Sequence, residues 1–404
     1  MKKLLNEANS HLLLVLLATL FFIQQGCKKE QSPSTSKGLP VITSIRNYVA
    51  SPGDSVLTSV GTGKWVVISG RNLRGALQIY FNGVKGSFND AWFSDTSAIV
   101  LIPEVIAFPL VEESQLNTIR YVTNHGETTF SFPIIAPAPT ISGISNESAN
   151  PGDSVKINGF NFFFIERISY AGVEVTDFKA SSDGTSISMA VPATVSTAGP
   201  VLVRTKSGAD TTFYHVHDYV TGVLNNYDNI NNFSWGSDVS NSSVDFPGNN
   251  GNYGIMSASN VPAGNGEWWG GGRSINTNDA QWVAVSHLQD TLGTYALKFE
   301  VAVKKPWLNG TIQIVRDQNW DYMALYRPWR NANGSATAFK TDGWQTVTIP
   351  LTNFLKASLP ASTLTELLGP EGKGAIKFMF VNDGSDVVSN FEAAVDNIRI
   401  VKIR

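Results

Sequence analysis

Hydrophobic and polar positions alternate with a period of two along much of this chain, and long helical periodicity is nearly absent. The clearest run is 295–303, Tyr-Ala-Leu-Lys-Phe-Glu-Val-Ala-Val, with others at 280–285, 310–315, 343–351, 375–380 and 394–400. Successive side chains of a strand point to opposite faces, so such runs predict strands with one face buried. Clusters of Gly, Pro, Asn and Asp separate them, each able to form a turn. One short helix is predicted over 363–368. The pattern predicts an all-β protein.

A repeat organises the first half. Ser51-Pro52-Gly53-Asp54-Ser55-Val56 recurs as Asn150-Pro151-Gly152-Asp153-Ser154-Val155. Ile68-Ser69-Gly70-Arg71-Asn72-Leu73 recurs as Ile157-Asn158-Gly159-Phe160-Asn161-Phe162, and Phe81-Asn82-Gly83-Val84 as Tyr170-Ala171-Gly172-Val173. Ile102-Pro103 is matched by Val191-Pro192. Short strands between frequent turns predict two immunoglobulin-like sandwiches without a disulfide. The landmarks, a Pro–Gly turn, an apolar-x-Gly-x-Asn stretch and a late Pro, resemble the IPT/TIG family over residues 39–218. That resemblance implies spacer or interaction modules and assigns no chemistry. The domains expected are 39–136 and 137–218, joined by the proline-rich 133–139 stretch, then a larger β-sandwich jelly roll over 219–404.

The N-terminus adds a location. Lys2 and Lys3 precede an apolar run at 12–23, too short to span a bilayer, and residues 1–26 read as a secretion signal. Cys27 is the only cysteine, so it has no internal disulfide partner. Its place after Gly26 resembles the lipidated cysteine of bacterial lipoproteins, although Gln24 and Gln25 depart from the usual lipobox. Residues 27–38 read as a flexible tether. The net charge is −3 with only 16% charged residues and no basic stripe, which speaks against nucleic acid as a partner.

Aromatic residues supply the candidate chemistry. Eight of the ten tryptophans lie at or beyond Trp235. Trp268 and Trp269 stand side by side in Gly-Asn-Gly-Glu-Trp-Trp-Gly-Gly-Gly, with little neighbouring bulk to bury against. Exposed indoles suit the apolar faces of sugar rings, leaving the rim hydroxyls for hydrogen bonds; each stacked ring is worth about 1–2 kcal/mol. Glu267 and Asn265 are candidates for bonds to those hydroxyls, and surface solvation accounts for both equally well. Trp282 and Trp344 alternate with apolar residues and read as core. Trp307, Trp320 and Trp329 lie near loops, where they either extend a groove or cap the sandwich; Tyr326 and Trp329 are carried as candidate contacts. His215 and His217 would share one strand face, but no third metal ligand is evident, so a surface pair is the reading.

The order of lipoprotein signal, tandem repeats and jelly roll resembles surface glycan-binding proteins of polysaccharide-utilisation systems. The stretches Leu224-Asn225-Asn226-Tyr227-Asp228, Glu267-Trp268-Trp269, Lys305-Pro306-Trp307 and Arg327-Pro328-Trp329 resemble the xyloglucan-binding domain of surface glycan-binding protein B. The resemblance implies an aromatic platform formed here by Trp235, Trp268 and Trp269. It also implies a β-glucan ligand, xyloglucan first, an outer-membrane lipid anchor and a partner glycan-transporter complex.

No nucleophile elbow, zinc-protease helix or phosphate loop is present, so no enzyme activity, cofactor or metal is expected. Asp396 and Glu300 resemble positions that hold a structural Ca²⁺ in some jelly rolls, and strand-end caps are the plainer reading. The alternative function is an adhesion or assembly protein whose aromatic patch meets a protein. A weak hydrolase would require paired carboxylates beside the strip.

Overall fold

The computed structural model describes residues 38–404. The signal, Cys27 and nearly all of the tether lie outside the described residues.

The first sandwich pairs Val41–Asn47, Trp65–Arg71, Ser97–Leu101 and Ser87–Phe88 in one sheet. Its second sheet orders Val84–Lys85, Ala76–Phe81, Thr118–Thr123 and Gly126–Ser131. The second sandwich repeats both orders. One sheet holds Thr140–Ile144, Ser154–Phe160, Ser186–Ala190 and Phe178–Ala180; the other holds Val173–Val175, Ile165–Tyr170, Val201–Thr205 and Gly208–Thr211.

The sequence landmarks have physical causes. A Cβ on Gly70 would lie 1.9 Å from the Val41 carbonyl oxygen, and one on Gly159 would lie 2.0 Å from that of Thr140. Only glycine lets the two strands meet there, beside a bulge in each pair. Asn72 and Asn161 both take left-handed backbone, φ 59° and 60°. Their amides donate to the carbonyls of Leu39 (2.9 Å) and Ala138 (3.1 Å), closing each sandwich onto its own entry strand.

The described chain divides into two compact units. One comprises the first sandwich up to Ile106 and Glu112–Ile134, and the other comprises Ala107–Val111 and Ile135–Arg404. Within the second unit, the C-terminal sandwich faces two antiparallel sheets. One orders Asp238–Ser240, Tyr253–Val261, Val388–Lys402, Tyr295–Val303 and Gln345–Pro350. The other orders Phe233–Trp235, Ser274–Thr277, Ile376–Val381, Thr311–Arg316 and Asn319–Tyr326, then two short strands. Between them lies a core of Leu297, Phe299, Val301, Ile312, Ile314, Phe378, Phe380 and Val395. The predicted helix forms at Leu364–Leu368, capped by Thr363, whose hydroxyl accepts from the Glu366 amide at 3.1 Å. The 280–285 run yields only Ala280–Gln281 as strand before a 3₁₀ turn, Val285–His287. The long Tyr253–Val261 strand, rich in Ser and Asn, was not among the alternating runs.

The second sandwich is bound to the C-terminal one through a buried cluster. Glu147 accepts from Lys298 Nζ and Arg399 Nη2, and all three side chains are buried. Lys298 Nζ also sits 3.3 Å from the Tyr214 ring centroid, and Arg399 Nη1 donates to the Asp218 carbonyl at 3.0 Å. The Thr346 hydroxyl accepts from the Glu147 amide at 2.8 Å and lies 3.1 Å from Glu300 Oε1.

Glu300 and Asp396 are not strand-end caps. They oppose each other across adjacent central strands, both buried. Burial pushes both carboxyls up, Glu300 to about 7. The folded state therefore favours protonated Glu300. Its contribution is complete below pH 4.5, the ordinary value, and is lost as pH rises through about 7. E300Q keeps the shape without the charge. It is expected to raise stability at pH 8 by about 2–3 kcal/mol and to flatten the fall between pH 5 and 8. Urea unfolding at both pH values checks this; an unchanged pH slope rejects it.

Candidate functional site

The sheet that begins at Phe233–Trp235 has an outer face, and the site is built there. Core residues Ile275, Phe378 and Ile314 fix which way it points, so their neighbours Ser274, Asn276, Lys377, Met379, Gln313 and Val315 face outward. Cross-strand register sets Asn276, Lys377, Val315 and Met323 in one row, and Ser274, Met379, Gln313 and Leu325 in the next. Met379 and Val315 are fully buried despite facing away from the core. Apolar side chains so placed need a cover, and tryptophans lie over this face.

Trp235, Trp268 and Trp320 form a continuous strip. The Trp235 and Trp268 ring centroids are 5.8 Å apart with planes tilted 33°, and those of Trp268 and Trp320 are 5.8 Å apart with planes tilted 42°. Trp235 and Trp320 are 44% and 43% exposed. Lys377 is the pivot of the strip. Its Nζ lies 5.6 Å from the Trp235 centroid and 5.7 Å from that of Trp268. It donates to Asn276 Oδ1 at 3.0 Å and pairs with Asp317 Oδ1 at 3.5 Å. Asn276 Nδ2 donates to the Trp235 carbonyl at 3.1 Å, and the Trp320 indole N–H donates to Asp317 Oδ1 at 3.1 Å. One polar string thus runs from the Trp235 main chain through Asn276, Lys377 and Asp317 to the Trp320 indole, and supports the strip from below.

The glycine loop is fastened rather than loose. Arg273, buried, donates to Asn265 Oδ1 at 2.9 Å, to the Gly270 carbonyl at 3.2 Å, and to the Glu267 carbonyl. Asn265 Oδ1 also accepts from the Glu267 amide at 3.1 Å, and the Asn265 carbonyl accepts from the Asn382 amide at 2.9 Å. Gly272 has φ +77°, and a Cβ there would lie 2.9 Å from Ser257 Oγ. Arg273→Ala removes the fork that gathers three loop acceptors. It is expected to weaken ligand binding about 5-fold while leaving the two sheets folded. Titration calorimetry beside circular dichroism checks this; unchanged affinity would mean that the loop holds its shape without Arg273.

The expected residues separate. Trp235 and Trp268 come together in the strip. Trp269, 61% exposed, stands at 83° to Trp268 with centroids 5.7 Å apart, so it rises as a wall rather than extending the strip. Asn265 spends its side-chain oxygen inside the loop. Glu267 stays exposed, with Asn265 Nδ2 3.2 Å from its Oε2. Tyr326 points into the core against Phe299 and Trp307, and burial pushes its phenol up. Trp329 packs against the core cluster and donates to the Gly310 carbonyl at 2.8 Å. Neither residue reaches the strip, because Tyr326 falls on the inward phase of its strand, opposite Ile312.

Trp320, Lys377, Asp317 and Asn276 complete the site. Of these, sequence raised only Trp320, as one of three undecided loop tryptophans. Trp282, Trp307 and Trp344 are buried. His215 and His217 do not share a face: His217 takes left-handed backbone, φ 55°, and turns toward Tyr170 and Tyr219, while His215 stays exposed. Among the described residues no group of three or more His, Cys, Asp or Glu could hold a metal.

Residues 216–402 match the family model of the surface glycan-binding protein B xyloglucan binding domain. An IPT/TIG domain-containing protein of Bacteroides ovatus is 25% identical over 219 residues; the match covers 50% of this chain and 44% of that relative, less than half its length. Among solved structures, the chain resembles the surface glycan-binding protein PbSGBP-B from Prevotella bryantii. That match has a TM-score of 0.68 and 22% identity, and covers 90% of this chain and 99% of the other. SGBP-B from a complex xyloglucan utilization locus in Bacteroides uniformis matches with TM-score 0.52 and 20% identity, over 90% and 99% of the two chains. At these identities the likeness shows the fold.

Proposed function

We propose that this surface glycan-binding protein B-like chain captures a β-glucan, xyloglucan first, along the Trp235–Trp268–Trp320 strip, without catalysis. The observation that carries the reading is the strip itself: three indoles at equal spacing, the outer two open to solvent and Trp268 half-buried between them, with polar atoms at their edges. A sugar chain presents a ring face at each step and hydroxyls along both sides, and the strip offers the complement. Beyond Trp320 the outer face continues through exposed Leu325 and Leu355, apolar surface on which substituents of a decorated backbone can rest. The matched family is named for binding xyloglucan.

The absence of catalysis is supported by where the unusual carboxyls lie. Glycoside hydrolysis needs a carboxyl with a raised pKa beside the scissile bond. Burial raises Glu300 and Asp396, which lie on the opposite sheet, and Asp317 beside the strip is paired with Lys377. The 39–136 and 137–218 sandwiches serve as spacers, an acyl chain on Cys27 anchors the protein in the outer membrane, and captured glycan passes to a transporter complex.

The test is native electrophoresis of residues 38–404 in gels containing xyloglucan, mixed-linkage β-glucan, galactomannan or xylan. Retardation by xyloglucan that Trp268→Ala/Trp320→Ala weakens supports the reading. Migration unaffected by every glycan rejects it and favours a protein partner for the strip.

A further inference from the structure

We propose that the first sandwich carries a second polysaccharide contact, formed by Tyr48, Trp65 and Trp92. The two tryptophans outside the C-terminal half of the chain are neighbours in space. Their centroids are 5.8 Å apart at 58°, and Tyr48 lies 6.2 Å from Trp65 at 45°. They are exposed by 53% (Tyr48), 38% (Trp65) and 49% (Trp92). These spacings are close to those of Trp235, Trp268 and Trp320, and the exposures are close to those of the two outer rings, Trp235 and Trp320. The ligand class rests on the polysaccharide reading of that C-terminal strip, but the site is a separate one.

The fold does not require these rings. Ile45 pairs with Ile68 in the first sandwich as Ile144 pairs with Ile157 in the second, so the two sandwiches align residue by residue. Three positions after each first isoleucine stand Tyr48 and Glu147; three before each second stand Trp65 and Ser154. Phe88 and Phe178 likewise pair with Val100 and Met189 on equivalent strands, and the following loops carry Trp92 and Ser182 four positions on. An identical topology thus forms with Glu, Ser and Ser at the three places. Trp65 begins its strand on the phase opposite to core residues Val66 and Ile68, and Trp92 ends a 3₁₀ turn, so neither ring fills the sandwich.

What surrounds the rings favours a sugar over an apolar protein surface. Lys64 precedes Trp65, Asn89 and Asp90 precede Trp92, and all three are exposed. Polar and charged groups beside tilted, half-exposed rings suit a ligand whose faces are apolar and whose edges are hydroxyls, whereas the centre of a protein interface is depleted in charge. Two contacts on one chain would let a long polysaccharide engage both, raising avidity without tightening either.

The experiment uses residues 38–404 and polymeric xyloglucan in native gels, with Trp65→Ala/Trp92→Ala, Trp268→Ala/Trp320→Ala and the combined variant. The expected result is that the first pair weakens retardation about 3- to 10-fold. The second pair should leave a residue of binding that the combined variant loses. Trp65 and Trp92 do not fill the sandwich, so the unfolding midpoint of the first pair should match the parent, which excludes misfolding. Loss only with the second pair overturns this proposal and leaves the C-terminal strip standing. Loss only with the first pair upholds it and rejects the C-terminal strip. Unchanged retardation with a change in oligomeric state, read by light scattering, overturns it by making the rings an interface between copies.

Discussion

Glu147→Ala is expected to destabilise the second unit by about 3–5 kcal/mol. Glu147 is the anion between two buried cations, Lys298 and Arg399. Removing it leaves both without a close counter-charge where water cannot reach them, and the desolvation cost falls on the folded state alone. Arg399 retains Glu300, but at 3.9 Å. Glu147→Gln should cost nearly as much, since it keeps the shape and loses the charge. Thermal and urea unfolding of residues 38–404 check this. A loss under 1 kcal/mol for both variants would mean that the cluster is hydrated and contributes little.

Trp268→Ala should have the largest effect on binding. It is the only ring in contact with both other members of the strip, and with Trp235 it flanks the Lys377 ammonium. Direct loss of one stacked ring is worth about 1–2 kcal/mol. Trp235 and Trp320 also lose their common neighbour, so a fall of about 10- to 100-fold in affinity is expected. Trp269→Ala, removing a wall, should cost less than Trp268→Ala. Trp329→Ala should lower the melting temperature while leaving affinity close to that of the parent. Calorimetry with a xyloglucan oligosaccharide distinguishes the three; equal effects of Trp268→Ala and Trp329→Ala would reject the strip as the binding element.

Much of the fold was legible because local rules and tertiary demands coincide in it. The 295–303 run became the Tyr295–Val303 strand, and the paired Gly-x-Asn landmarks proved to be the two places where backbone must meet backbone. The prediction failed where alternation was misleading. At 280–285 the pattern continued but the chain turned, and at Tyr253–Val261 a strand formed from residues with weak apolar signal. Site residues were legible in proportion to how unusual their surroundings were. Trp268 and Trp269 stood out among glycines, but sequence could not say that one ring lies in the strip and the other crosses it.

The sequence by itself determined the all-β class, the duplicated sandwich and the aromatic chemistry, because period, turn residues and side-chain type are local properties. Only the tertiary structure decided which tryptophans meet. Trp235, Trp268 and Trp320 come from two strands and a loop far apart in the chain, and cross-strand register brings Lys377, Asn276 and Asp317 beneath them. It also decided that Glu147, in the Ser-Asn-Glu-Ser stretch, is buried between two cations. Charge pairing and ring contact depend on distance in space, and the order of residues along the chain does not carry that distance.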